Sequence, residues 1–227
     1  IYEGTYKYDD FDKSGSSYTL KGNIPHYVSE SNTQPGMPKY KDLNGDGVID
    51  TNDRTMIGRG LPIHTGGFTN NFEYKGFDLS VFFQWSYGND VLNANRLFFD
   101  SGFQKKRELN QYASYTDRWT PENPNSNIPA ATNSSSNLVI SSRVVEDASF
   151  LRLKTVTLGY TVPKTFLKKY KIDNARLYVA AQNLWTITGY SGYDPEVSIR
   201  SGGLTPGLDF SSYPRALSVS FGINLGF

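Results

Sequence analysis

One stretch combines residue types and spacing that could do chemistry: DLNGDGVIDTND at 42–53. Asp42, Asn44 and Asp46 stand at loop positions 1, 3 and 5, Gly47 at 6, Val48 with its carbonyl at 7, Asp50 at 9 and Asp53 at 12. This is the donor order of an EF-hand calcium loop, with Asp53 where a bidentate glutamate usually stands. Calcium takes six to eight hard oxygens, and alternate side chains on a tightly turning backbone can wrap them around one ion. Gly47 permits the sharp turn. The spacing predicts a structural site for calcium or a similar hard cation. The competing reading is a pair of solvated Asx turns, because Asp-Gly and Asn-Gly are common turn formers. No helical pattern flanks the loop, so a sensor that opens on binding is not expected.

Other chemistry is poorly supported. The chain has no cysteine and only two histidines, His26 and His64, which excludes disulfides and thiol catalysis and disfavours a histidine-built zinc site. No carboxylate pair is placed for acid–base work, and the serine-rich stretches lack a G-x-S-x-G setting. No enzyme is expected. Net charge is +1 and no basic, aromatic-interleaved patch occurs, so nucleic acid is not an expected partner. Trp119, Tyr190 and Tyr193 stand in polar loops, where exposed aromatics stack on sugars or anchor a protein partner. Packing of the loops on each other is the equal alternative. Lys164, Lys168, Lys169 and Lys171 read as a solvated face, with lipid head groups as the lesser reading.

The elements that would position these residues are strands. Residues 1–63 are dense in Gly, Pro, Ser, Asn and Asp and read as loop. Period-two alternation then appears over 64–75, 77–87, 149–162, 174–188 and 214–227. The last run is the clearest. Leu217, Val219, Phe221, Ile223, Leu225 and Phe227 fall on one face, and Ser218, Ser220, Gly222, Asn224 and Gly226 on the other. In 149–162, Val156, Leu158, Tyr160 and Val162 share a face that Arg152 and Lys154 continue, marking the level where the strand leaves lipid. In 174–188, Asn183 interrupts the apolar face, as a bulge would.

Strands of roughly 9–11 residues, apolar on one side and small or polar on the other, have the length and pattern that crosses a bilayer in a β-barrel. The connections alternate strictly between long and short, as they do in outer-membrane barrels. That assigns the turn at Gly76, the 163–173 connector and Phe227 to the periplasmic side, and the loop regions 1–63, 88–147 and 189–213 to the outside. Five strands cannot close such a barrel, and open edges in lipid cost several kcal/mol per unpaired group. The remaining strands must come from a preceding segment or another chain. The start at Ile1, without methionine or signal peptide, reads as a mature piece of something longer.

Six blocks carry a family resemblance: YKDLNGDGVIDTNDRTMIG (40–58), YKGFDLSVFFQWSYGND (74–90), DRWTPENP (117–124), EDASFLRLKTVTLGYTVP (146–163), LYVAAQNLWTITGYSGYDPEV (177–197) and SYPRALSVSFGINLGF (212–227). Together they resemble the final stretch of SusC/RagA-type TonB-dependent outer-membrane transporters. The resemblance implies an all-β fold, the last five strands of a 22-stranded antiparallel transmembrane barrel with long extracellular loops. It implies a plug and N-terminal barrel strands, in the same or a separate chain, and TonB acting through that N-terminal part. It also implies a SusD-like surface lipoprotein as partner, outer-membrane lipid around the wall, and an oligosaccharide or peptide cargo. The closing strand with Phe221, Ile223, Leu225 and Phe227 is similar to the family's barrel-assembly signal. Two domains follow: an extracellular loop region at 1–63 holding the cation loop, and barrel strands with outer loops at 64–227. The alternative is a soluble calcium-binding β-sandwich that recognises glycans.

Overall fold

The structure is a computed structural model that describes residues 1–27, 29–102, 110–133, 135–199 and 206–227. Parts of the second and third long loops, 103–109 and 200–205, lie outside the described residues. In chain order the strands are β1 (Tyr2–Thr5), β2 (Phe11–Ser14), β3 (Ser17–Leu20), β4 (Pro38–Tyr40), β5 (His64–Tyr74) and β6 (Phe77–Tyr87). They continue as β7 (Asp90–Asn93), β8 (Val145–Asp147), β9 (Phe150–Thr161), β10 (Asn174–Thr188), β11 (Leu208–Asp209) and β12 (Ser218–Gly226). Two short helices join them, α1 (Ala94–Phe99) and α2 (Lys164–Leu167). Among the described residues no helix is long and apolar enough to cross a membrane, which says nothing of a barrel built from strands.

The chain divides into two compact units. One comprises residues 1–59, 91–146 and 208–211. Residues 1–63, read as loop from composition, hold four short strands, β2 and β3 joined by a tight turn and β1 and β4 paired across the segment between them. Tyr6, Phe11 and Leu20 form a small core with Tyr18, Ile24 and Met37 against it. β1 pairs with β4, and β2 with β3. The 88–147 region is not featureless either. β7 lies between β8 and β11, and the Asn93 side chain caps α1 by accepting from the Arg96 N–H at 3.2 Å. Asp100, fully buried, pairs with Arg96 at 3.4 Å and Arg143 at 3.2 Å.

The other unit, residues 60–90, 147–207 and 212–227, is one antiparallel sheet in the order β12-β10-β9-β6-β5. All five expected strands are present, two of them with the expected bounds and the others with ends moved by at most four residues. Lys75 and Gly76 both take positive φ, 47° and 86°, which is the turn that matches the right-handed twist of a two-residue hairpin. β5 and β6 then pair without a slip from Tyr74↔Phe77 to His64↔Tyr87. β5 and β12 are the two edges, and among the described residues nothing in this sheet pairs with their outer sides.

Two bulges correct the simple alternation. β9 pairs Thr155 with Phe82 and Leu153 with Phe83, leaving Lys154 as an extra residue. Side-chain parity therefore reverses there. Leu151 and Leu153 join the apolar face of Val156, Leu158 and Tyr160, while Arg152 goes to the polar face opposite Gln84. The expectation that Arg152 and Lys154 continue the apolar face is thus wrong. In β10 the pairing steps from Gln182↔Thr155 to Trp185↔Leu153, and Asn183 adopts φ 52°. This is the expected interruption at Asn183.

Candidate functional site

The 42–53 loop is held by its own side chains. Asp42 accepts the N–H groups of Gly45 at 2.6 Å and Gly47 at 2.8 Å. Asn44 Oδ1 accepts from the Asp46 N–H, Asp46 Oδ1 from the Val48 N–H, and Asp50 Oδ1 from the Asn52 N–H. These are successive Asx turns, and Gly45 and Gly47 supply the positive φ they need, 79° and 84°. Asp53 closes the loop: its Oδ1 accepts from Leu43 at 2.7 Å and its Oδ2 from Asp50 at 2.8 Å. The Asp50 and Leu43 amides favour the ionised form and hold the Asp53 carboxyl below the usual range, against the opposing effect of burial. Its contribution to loop order is therefore complete above the ordinary carboxyl pKa and is lost as pH falls through the lower folded value. Isolated bridge pairing ties the loop to His26, whose carbonyl accepts from Ile49 at 2.9 Å.

The donor set suits a hard cation in kind, since every candidate ligand atom is oxygen and each carboxylate oxygen except Asp53 Oδ1, which accepts from both Leu43 and Asn44, keeps a lone pair beyond its amide contact. The oxygens do not converge, however. Among the described residues no three Asp, Glu, His or Cys side chains form a cluster able to hold a metal. As folded, the loop satisfies its carboxylates with backbone N–H groups.

The three candidate partner aromatics separate. Trp119 is buried, 5.5 Å from the Tyr8 ring, and Tyr190 is buried too, so neither is presented on a surface. Their burial favours the alternative reading, packing of the loops on each other. Tyr193 stands out at 83% exposed, although its neighbour Asp194 is buried.

The sheet presents its apolar face outward. Phe68, Phe72, Leu158, Leu177, Val219, Phe221, Ile223 and Leu225 are exposed, Phe221 at 82% and Phe227 at 84%. Aromatic side chains gather at both ends of this face. At the end with the Gly76 turn are Tyr74 and the Phe77–Tyr160 pair, 4.6 Å apart. At the other end are Trp85, Trp185 and Tyr87, the last stacked on His64 at 5.1 Å. The Trp85 indole N–H donates to His64 Nδ1 at 3.1 Å.

The polar face carries two ion-pair constellations that sequence reasoning missed. Arg176 on β10 reaches across β9 to make a forked pair with Asp78 on β6. Gly159 lies beneath this bridge, and a Cβ there would collide with both partners. Nearer the other end, Arg152 is only 2% exposed and pairs with Asp194 at 2.6 Å and Glu196 at 3.0 Å. Glu196 also pairs with Arg215 at 3.1 Å and Lys154 at 3.6 Å, and accepts from Gln84 at 3.3 Å. Asp194 further accepts the N–H groups of Glu196 and Arg215. Burial pushes the Asp194 carboxyl up, but Arg152 and the two N–H donors outweigh it and hold it below the usual range. A charged Arg152 between Leu151 and Leu153 was the one available signal.

Comparisons with known proteins agree with this architecture. No family model matches the chain. It is 38% identical over 213 residues to TonB-dependent receptor P3 of Formosa agariphila, covering 91% of this chain and 21% of the relative. It is 28% identical over 201 residues to TonB-dependent receptor SusC of Bacteroides thetaiotaomicron, covering 88% of this chain and 18% of that protein. Among solved structures, the RagAB peptide transporter superposes with a TM-score of 0.63 at 31% identity, over 74% of this chain and 17% of that one. The open-open state of the RagAB peptide importer matches all of this chain, and 22% of its own, with a TM-score of 0.65 at 26% identity. The chain spans about a fifth of the length of the curated relatives it matches. With its all-β antiparallel wall and these relatives, the chain belongs to the SusC/RagA-type TonB-dependent receptors.

Proposed function

We propose that this chain is a C-terminal part of an outer-membrane importer, its sheet the last five strands of a 22-stranded barrel. The observation that carries the reading is the exposed apolar face. Among the described residues its side chains have no opposing layer in their own unit, yet the polar face behind them is ion-paired and hydrogen-bonded. A soluble β-sandwich would bury that face against a second sheet. Eleven-residue strands such as β5 and β6 run roughly 36 Å and, tilted as in a barrel, cover about 25 Å of membrane. The aromatic groups at both ends fit the two interfaces. The unpaired sides of β5 and β12 call for neighbouring strands, since open edges are not tolerated in lipid.

In this reading the Gly76 turn, the 163–173 connector and Phe227 face the periplasm of a Gram-negative cell, and the loops face outside. The Phe221, Ile223, Leu225 and Phe227 strand serves as the barrel-assembly signal. Cargo is oligosaccharide or peptide, taken up with a SusD-like lipoprotein and energised by TonB through the N-terminal part of the receptor. Tyr193 is the aromatic offered to cargo or partner. The chain binds and guides, and breaks no bond in the cargo. Intact mass of the native protein tests the assembly: barrel strands beyond this chain should travel with it in detergent. A detergent-free monomer at 25.4 kDa would overturn the reading.

The 42–53 loop is proposed to take calcium or a similar hard cation on Asp42, Asn44, Asp46, Asp50, Asp53 and the Val48 carbonyl, pinning an outer loop. The supporting facts are the donor spacing and the spare lone pairs; the ion has to draw the ligands closer than their amide contacts leave them. Calcium should slow proteolysis of the 36–60 region several-fold, and Asp42→Ala with Asp46→Ala should abolish that protection while the strands persist. Equal cleavage with calcium and with chelator would leave the loop a set of amide-capped turns and nothing more.

A further inference from the structure

The connector between β9 and β10 has chemistry that the barrel wall does not use. It runs from Pro163 through α2 and a following 3-10 turn, Lys168–Tyr170, to Lys171 in the left-handed region. Leu167 is buried and its carbonyl accepts from the Ile172 N–H within the connector, while the Asp173 N–H donates to the Gly226 carbonyl of β12 at 2.8 Å and fastens the connector to the sheet end. Apart from half-buried Ile172, the rest of it is exposed. Phe166 and Tyr170, four residues apart and so on one side of the turn, are 70% and 67% exposed. Lys164, Lys168, Lys169 and Lys171 are all exposed, and among the described residues none has a carboxylate partner, whereas Arg152, Lys154, Arg176 and Arg215 of the same unit are all ion-paired. The Lys169 ammonium instead sits 5.9 Å over the Tyr170 ring. The connector joins the sheet at the end where Tyr74, Phe77 and Tyr160 gather.

We propose that this connector is a lipid-docking element: Phe166 and Tyr170 enter the interfacial layer of the inner leaflet, and the four lysines meet the phosphates of anionic phospholipids. The proposal rests on the barrel reading above. Two exposed aromatics beside a cluster of unpaired lysines are the pairing that interfacial segments use, apolar contact plus charge complementarity. A lysine close to an anionic surface is worth about five-fold in partition at low salt, and the effect is screened beyond a Debye length. The wall already holds the connector at the membrane edge, so little entropy is lost in docking it.

The test uses the full-length receptor in vesicles of phosphatidylcholine, alone or with phosphatidylglycerol. A reporter fluorophore at Thr165→Cys is quenched by lipids spin-labelled at the head group. Quenching is expected to be several-fold stronger with phosphatidylglycerol, to fall with added salt, and to drop to the phosphatidylcholine level when the four lysines become glutamine. Phe166→Ser with Tyr170→Ser should weaken quenching in both lipids. Equal quenching in both lipids, unchanged by the lysine variants in a receptor that still migrates as a folded barrel without heating, would overturn the docking proposal. Failure of the unaltered receptor to insert at all would instead overturn the barrel reading, and this proposal with it.

Discussion

Replacing Arg152 with methionine is expected to release the 189–199 segment from the sheet and destabilise the receptor by about 3–5 kcal/mol, the usual cost of removing one partner from a buried ion pair. The size follows from geometry. Arg152 is nearly inaccessible, and its loss leaves Asp194 without its cationic partner and removes one of the three cations paired with Glu196. The variant also changes a titration. With Arg152 present, the ionised Asp194 contributes stability that is complete above the ordinary carboxyl value and is lost as pH falls through its lower folded value. Without Arg152, one of the groups that hold the Asp194 carboxyl down is gone and it titrates higher than before, so acid should loosen the segment at a higher pH than in the unaltered protein. Protease cleavage next to the exposed Tyr193, followed against pH, reads both effects. Adding Asp194→Asn and Glu196→Gln to Arg152→Met should recover part of the loss, because the charges left short of a cation are gone. Strict additivity of the three changes would show that these groups are not energetically linked.

Lysine at Phe221 should impair barrel assembly by roughly 2–4 kcal/mol, the cost of a cation on the lipid face near the bilayer midplane. Phe221 pairs with Val179, well inside the sheet, and is exposed on the apolar face. Lysine at Val219, opposite Ala181, should behave in the same way. Ser220→Lys is the internal control: it occupies the same strand at nearly the same height but faces the polar side, so its effect should be much smaller. Folding yield into vesicles, scored by heat-modifiable migration of the full-length receptor, separates the three. Normal insertion of the Phe221 and Val219 variants would mean that this face does not meet hydrocarbon.

Some of the architecture was plain from residue order and some was not, and the division follows the range of the interactions. Alternation in 214–227 and 77–87 is a local property of extended backbone, so the strands and most of their faces could be read one residue after another. The Lys75-Gly76 turn was equally local. The bulge at Lys154 was invisible because an extra residue exists only relative to a partner strand, here Phe82 and Phe83 of β6. Missing it put Arg152 on the wrong side. The small strands and core of residues 1–59 were missed because short runs amid Gly, Pro and Asn carry little periodic signal. Spacing named the 42–53 donors, but not that Asp53 would turn both oxygens to amides of its own loop.

The sequence by itself determined that this is a chain of one-sided strands joined alternately by long and short connections, since each strand's two faces and each tight turn are set within a few neighbouring residues. Only the tertiary structure decided which charges meet. Arg152 lies 42 residues from Asp194, and Arg176 lies 98 from Asp78. No local rule joins groups so far apart. Register, bulges and the return of the 189–199 segment bring them together, because buried charge is tolerated only where strand pairing delivers its counter-ion.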